Sequence, residues 1–159
     1  MTVIRELREE DNPVMAQIVK QSLESVGLAI PGTAYFDPQL NNLTAYYANL
    51  PHAKYWVATD EQDQVVGGVG IAPFGNHPGV CELQKLYLAP QAKGKGLGSE
   101  LLEVALTFAE QHYERCYIET MQQLHTANRL YGTVGFHLLE EPLPGSEHGT
   151  MDAWYLKSL

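Results

Sequence analysis

The sequence predicts an α/β domain of the α+β type, a mixed and mainly antiparallel sheet of about seven strands with about four helices on its faces. Three observations predict it. Apolar residues recur at period two in short stretches spread over the whole chain, they recur at helical spacing in the longer stretches between, and a short polar turn joins two of the period-two stretches as an antiparallel hairpin.

Taken in order, "VIRELR" (3–8) alternates as an opening strand. A helix follows, with Asp11 or Asn12 as cap, Pro13 in its first turn, an apolar face of Met15, Ile18, Val19, Leu23 and Val26, and an end at Gly27. Pro31, Gly32 and Pro38 mark "LAIPGTAYFDP" as a loop, and "QLNNLTAYYANL" (39–50) reads as a second helix. "KYWVAT" (54–59) and "VVGGVGIA" (65–72) flank the turn "DEQDQ", and "GVCELQKLYL" (79–88) is a third strand of the same run. From Leu97, apolar Leu101, Leu102, Ala105, Phe108 and Ala109 give a helix, after which "RCYIETM" (115–121) returns to a strand. "TANRLYGTV" (126–134) is a short helix closed by Gly135, and "FHLLEE" (136–141) and "DAWYLKSL" (152–159) are the last strands around the loop "PLPGSEHGTM".

A chain of 159 residues suits one domain, 1–159, large enough to bury a core without staples. Cys81 and Cys116 stand inside apolar strand-like runs as inert buried thiols, and the charged start "MTVIRELREED" is unlike a secretion signal, so the expected home is the reducing cytoplasm. The most apolar stretch, "VVGGVGIAPF", is far short of the roughly 18 residues of a membrane span. Net charge is −9, which argues against nucleic acid as a partner. The six histidines are scattered with no HxxxH and there is no CxxC, so no metal is expected. Against the acidic background, Lys85, Lys93 and Lys95 concentrate positive charge around "QAKGKGLGSELL" (91–102), where Gly94, Gly96 and Gly98 alternate.

That spacing fits an anion loop. A P-loop would need GxxxxGK followed by Ser or Thr, which is absent. A dinucleotide fingerprint is nearly met by Gly94, Gly96 and Ser99, with Glu119 downstream as a ribose acid, but "APQAK" separates the strand from Gly94 and a hairpin precedes it, so an NAD-binding protein stays a weak rival. The third reading is a loop whose amides, unobstructed by Cβ atoms, wrap a pyrophosphate at the N-terminus of the helix beginning at Leu97.

"ELQKLYLAPQAKGKGLGSELLEVAL", followed some thirty residues later by "TANRLYGTVGF", resembles the GNAT superfamily of acetyl-CoA-dependent N-acetyltransferases, strongly over roughly residues 64 to 140. The family loop Q/RxxGxG/A fits in two frames, Gln91–Gly94–Gly96 or Lys93–Gly96–Gly98, and in the second Lys93 stands where Arg or Gln is usual. The resemblance implies a GNAT-like fold with acetyl-CoA as co-substrate, its pyrophosphate on the amides of Lys93, Gly94, Lys95, Gly96, Leu97 and Gly98, with Ser99 also among the cofactor-binding residues. It also implies that the strand before the loop bulges and parts from its neighbour, that pantetheine fills the gap beside Leu86, Tyr87 and Leu88, and that the amide of Leu88, or of Tyr87, meets the acetyl oxygen. Asn128 would bond the pantetheine arm, and Tyr131, one helical turn on, would lie beside the sulfur.

Acetyl transfer to an amine needs that amine neutral, and an ammonium near pKa 10 is overwhelmingly charged at pH 7. Strand alternation puts Glu82, Gln84, Leu86 and Leu88 on one face and Leu83, Lys85 and Tyr87 on the other. Glu82 matches the family position of a frequent general base, with Glu119 on the next strand in reserve. For the acceptor, Tyr35, Phe36, Tyr46 and Trp154 offer aromatic walls, and Asp37, Glu147 and Asp152 offer charge, which together lean to a small-molecule amine. A protein amine stays open as acceptor, as does a non-catalytic acetyl-CoA-binding or partner-binding domain on the same scaffold, and edge strands of such sheets leave a homodimer open.

Overall fold

The computed structural model describes residues 2–146 and 149–159, so Glu147, a candidate acceptor-site charge, and His148 lie outside the described residues. The chain runs β1 (Val3–Glu6), α1 (Asn12–Ser25), α2 (Leu43–Ala48), β2 (Lys54–Thr59), β3 (Val65–Pro73), β4 (Val80–Leu88), α3 (Leu97–His112), β5 (Arg115–Thr120), α4 (His125–Thr133), β6 (His137–Leu139) and β7 (Ala153–Ser158). The sheet order is β1-β2-β3-β4-β5-β7-β6, with β4 and β5 parallel and the other neighbours antiparallel. A single parallel step inside an antiparallel sheet is not the doubly wound frame that a dinucleotide fingerprint needs.

Local chemistry explains where elements begin and end. Asp11 does not cap α1 with its side chain; its carboxylate instead takes the Arg5 guanidinium at 2.7 and 3.0 Å and the Arg8 N–H at 2.8 Å. Gly27, at φ +74°, ends α1 in the left-handed conformation while the Leu28 N–H returns to the Leu23 carbonyl at 2.8 Å. The second helix is shorter than the expected 39–50, because the Asn42 side chain accepts from the Ala45 N–H and so starts α2 afresh after a 3₁₀ turn at Leu40–Asn42.

Pairing across β3 and β4 departs from simple alternation. Gly70 faces Gln84 and Gly68 faces Tyr87, so the one β3 residue between them, Val69, opposes two on β4, Lys85 and Leu86, which form a β-bulge. Lys85 has φ +50°. The expected faces are corrected accordingly: Glu82, Gln84 and Tyr87 share one side of the sheet, while Leu83 and Leu88 share the other. The glycines of β3 make this face possible by close approach. A Cβ at Gly68 would stand 2.5 Å from the Tyr55 ring, and one at Gly70 would stand 2.5 Å from the Tyr47 hydroxyl. Tyr47 packs on Tyr55, placing α2 over that face, and Trp56 meets Phe108 of α3 on the opposite one.

The main core joins Met15, Val19 and Leu23 of α1 to Val69, Ile71 and Leu83 of the sheet and Leu101, Leu102 and Ala105 of α3. A second buried group, Phe74, Val80 and Tyr117, is covered by Leu139, Leu143, Trp154 and Leu156. Among the described residues no helix is long and apolar enough to cross a membrane.

Candidate active site

β4 and β5 pair only through Val80–Arg115, Cys81–Cys116 and Glu82–Tyr117. Beyond those three rungs the strands part, and β5 continues its ladder with β7 as far as Thr120. Glu82 stands at the last of those rungs, and Glu119 stands on β5 beyond it. Cys81 and Cys116, at the root of the gap, are fully buried free thiols, and burial together with the neighbouring Cys81 pushes the Cys116 thiol well up, so Cys116 is not poised as a nucleophile.

Tyr55 fixes the bulge by donating its hydroxyl to the Lys85 carbonyl at 2.7 Å. Past the bulge, the Ala89 N–H points to β3, where it meets the Val66 carbonyl at 2.7 Å. Successive amides of an extended strand point to opposite edges, so the Leu88 N–H faces away from β3, on the side of the gap, and the Tyr87 N–H faces β3. Of these two amides, that of Leu88 is the one directed to the gap. The Leu88 carbonyl on the same edge accepts from the Ser22 hydroxyl at 3.4 Å, a contact from α1 that sequence spacing does not signal.

The glycine loop leads from a 3₁₀ turn at Pro90–Ala92 into α3. Gly94 and Gly96 both have φ +77° with nothing within 4 Å of a built Cβ, so glycine is required here by backbone conformation and not by crowding. Gly98 is helical and approaches Leu130 of α4 and Leu88. Gly96 stands at the α3 N-cap with no side-chain cap, leaving the first-turn amides without intrahelical partners. Lys93 and Lys95 are exposed beside them, whereas Lys85 is not part of this group: its ammonium is buried against Asp37 at 2.8 Å.

From α4, the Asn128 side-chain amide donates to the Met121 and Leu124 carbonyls at 2.8 Å each, which fixes its orientation because carbonyls only accept. Its Oδ1 is buried without a partner among the described residues. A buried acceptor in that condition is costly unless something donates to it, and the amide-bearing arm of acetyl-CoA carries such donors. With the open amides at the start of α3, this makes the residues present fit that group.

Tyr131 is 5% exposed, packed on Tyr155 and Phe136 at centroid distances of 5.7 and 6.0 Å. Burial, with smaller contributions from Tyr87, Cys116 and Tyr155, raises its phenol far above the ordinary value, so it is a neutral hydrogen-bond donor at physiological pH.

On the α2 face, Tyr47 donates to the Gln84 Oε1 at 2.7 Å, and the Gln84 amide donates to the Glu82 Oε1 at 2.7 Å. Glu82 lies opposite Tyr117, whose hydroxyl donates to Glu119 at 3.0 Å while accepting from the Leu143 N–H at 3.2 Å. Ser146 also donates to Glu119. The two candidate bases therefore project from one face on either side of Tyr117. Sequence spacing marks Gln84 only as sharing a face with Glu82 and does not mark Tyr47, Tyr117 or Ser146 as partners of the two carboxylates.

The proposed acceptor walls are less united. Tyr35 is tied to α1, its hydroxyl on Glu24 at 2.8 Å and its ring under the Lys20 ammonium, and Phe36 beside it is 59% exposed. Tyr46 packs on Tyr47, and the partly buried Trp154 packs against the second buried group, opposite Glu119. Asp152 accepts the Gln122 N–H at 2.7 Å and Asp37 holds Lys85, so both carboxylates have internal work. Two of the acceptor-side loops meet: Thr150 donates to the Pro31 carbonyl at 2.7 Å, and a Cβ at Gly32 would collide with the Thr150 side chain. Among the described residues no three His, Cys, Asp or Glu side chains gather as a metal set. Two open surface concavities, of about 400 and 490 Å³, are lined by no residue of β4, β5, the glycine loop or α4.

Residues 16–136 match the model of the acetyltransferase (GNAT) family. Among curated proteins, the chain is 38% identical to the uncharacterised N-acetyltransferase YjgM of Escherichia coli strain K12 over 160 aligned positions, covering 99% of this chain and 95% of that one. Among solved structures it is similar to a GNAT-family acetyltransferase of Staphylococcus aureus, with a TM-score of 0.86 at 20% identity over 100% of this chain and 99% of the other. It is also similar to a GNAT-superfamily phosphinothricin acetyltransferase of Sinorhizobium meliloti solved in complex with acetyl-CoA, with a TM-score of 0.77 at 20% identity over 99% and 88%.

Proposed function

Because the chain belongs to the GNAT acetyltransferase family, we propose that it is an acetyl-CoA-dependent N-acetyltransferase that moves the acetyl group directly to the primary amine of a small, positively charged molecule. The observation that carries this reading is the parted β4–β5 pair, with an amide directed into the gap, a neutral buried tyrosine, and two carboxylates on one face beside it.

Acetyl-CoA supplies the activated acyl group. The chain's residues do the rest. The loop amides of residues 93–98 and the start of α3 receive the diphosphate, with Lys93 and Lys95 adding charge, and Asn128 Oδ1 receives an amide of the arm. The Leu88 N–H donates to the carbonyl oxygen as negative charge builds there. Glu82, held by Gln84 and through it by Tyr47, takes the proton that makes the amine nucleophilic, directly or through water, with Glu119 in reserve. Tyr131 donates a hydrogen bond to the departing thiolate. Full proton transfer from it is uphill, since a thiol near 8.5 is a stronger acid than even an unperturbed tyrosine near 10.

Two features support a cationic acceptor, and its size is what the assay below decides. The face that presents Glu82 and Glu119 is acidic, and the Thr150–Pro31 contact ties together two of the loops expected to border the acceptor. The test is an acetyl-CoA assay with thiol detection over a panel of aliphatic amines, amino acids and lysine-containing peptides, run beside acetyl-CoA binding by calorimetry. Turnover with small amines and not with peptides is expected. Tight acetyl-CoA binding with no turnover across the panel would favour a non-catalytic binding domain, and turnover with peptides alone would reassign the acceptor.

A further inference from the structure

Among the described residues, three other than glycine have a positive φ: His52, Asp63 and Lys85. His52 lies in the turn between α2 and β2 and Asp63 in the turn between β2 and β3, whereas Lys85 lies inside β4, at the bulge. A lysine in the left-handed region is strained, and glycine would take that conformation freely, so the side chain itself must do something there that glycine would not. What it does is visible. The ammonium makes an ion pair with Asp37 Oδ2 at 2.8 Å, with the two side chains only 4% and 12% exposed. Asp37 directly follows the 3₁₀ turn Ala34–Phe36, which is fixed in turn by Thr33, whose hydroxyl accepts from the Tyr35 N–H and donates to the Leu28 carbonyl.

A buried pair of this kind adds little net stability, since well-packed apolar residues commonly do as well, but it defines geometry sharply. Here it joins the bulge that aims the Leu88 amide to the turn that carries Tyr35 and Phe36. We propose that the Lys85–Asp37 ion pair is a positioning device, which locks the acceptor-side turn 34–37 onto the β4 bulge so that one buried contact sets the amine and the acyl group in register. Lys85 and Asp37 are positioning residues in this scheme and touch neither reactant. The inference rests on the acetyltransferase reading above.

The test compares wild type with D37N, K85M, K85G and the apolar pair D37L/K85M. Each is read by thermal melting, by acetyl-CoA binding, by amide hydrogen exchange at residues 34–37 and 85–88, and by kcat and KM for thiol release from acetyl-CoA with the panel amines. D37N and K85M are expected to melt earlier and to exchange faster in both segments together. Their kcat/KM for amine falls about tenfold or more while acetyl-CoA affinity stays within about twofold. K85G, which takes the bulge conformation without strain, is expected to be as slow as K85M. D37L/K85M regains the melting temperature but not kcat/KM. Wild-type kinetics in D37L/K85M or K85G would overturn the proposal, as would faster exchange confined to residues 34–37 in D37N. If wild type itself releases no thiol with any amine, the acetyltransferase reading fails, and the exchange result alone still decides whether the two segments are tied.

Discussion

On the proposed acetyltransferase reading, replacing Tyr131 or Glu82 is expected to separate chemistry from binding. Tyr131 is held by ring contacts with Tyr155 and Phe136 that phenylalanine can keep, so Tyr131→Phe removes a donor and little else. A loss of about a hundredfold in kcat is expected, with acetyl-CoA affinity nearly unchanged, as measured by steady-state kinetics beside calorimetry. Glu82→Gln keeps the contact with Gln84 in modified form but cannot take a proton. A fall of about a hundredfold in kcat/KM near pH 7 is expected. The deficit should shrink as pH rises, because an amine with pKa near 10 becomes its own source of free base, about a hundred times more abundant at pH 9 than at pH 7. A pH series of kcat/KM for wild type and variant checks this. An unchanged Glu82→Gln with a slow Glu119→Gln would move the base to Glu119, which already has Tyr117 and Ser146 as hydrogen-bond donors.

At the level of elements, the glycine loop is legible because its backbone conformation is written in residue type. Gly94 and Gly96 are there for a backbone that only glycine adopts at low cost, and both have φ +77°. Gly96→Ala therefore meets no clash yet forces the loop to change or strain, and weaker acetyl-CoA binding with about 1 kcal/mol lost in stability is expected from calorimetry and urea unfolding. The long periodic helices and paired strands were legible for the same reason, each residue reporting its own face. The faces of β4 were not, because strict alternation assumes no bulge, and a lysine gives no hint of a left-handed residue. The signal lay on the neighbouring strand: Gly68 and Gly70 imply close approach of something large, which proves to be Tyr55 and Tyr47. Lys85 is near the loop lysines in sequence only, while its partner Asp37 is 48 residues away and invisible to any local pattern. Asn128 and Tyr131 were located through the resemblance, and what the structure adds is a buried, unpartnered Oδ1 and a neutral phenol.

The whole molecule should respond to alkali through its interior phenols. Burial raises Tyr47, Tyr55, Tyr87 and Tyr131 above their ordinary value, so between about pH 10 and the higher native values the folded state keeps protons that the unfolded chain gives up. Unfolding then releases protons, and the stability these groups contribute is intact below about pH 10 and lost as pH climbs past it. Urea midpoints at about pH 8 and about pH 11 are expected to fall steeply, with the tyrosinate absorbance appearing together with unfolding.

The three rungs joining β4 to β5 have a broader consequence. They are the spine of a book whose two leaves, β1–β4 and β5–β7, share few other backbone hydrogen bonds across the opening. A ligand bridging both leaves acts as a clasp, and by mass action raises the resistance of the whole protein to heat and proteases. Cellular abundance of this enzyme would then follow the supply of its own thioester, with starved cells clearing it faster than fed ones, a trend that pulse-chase turnover under controlled acetyl-CoA levels would reveal.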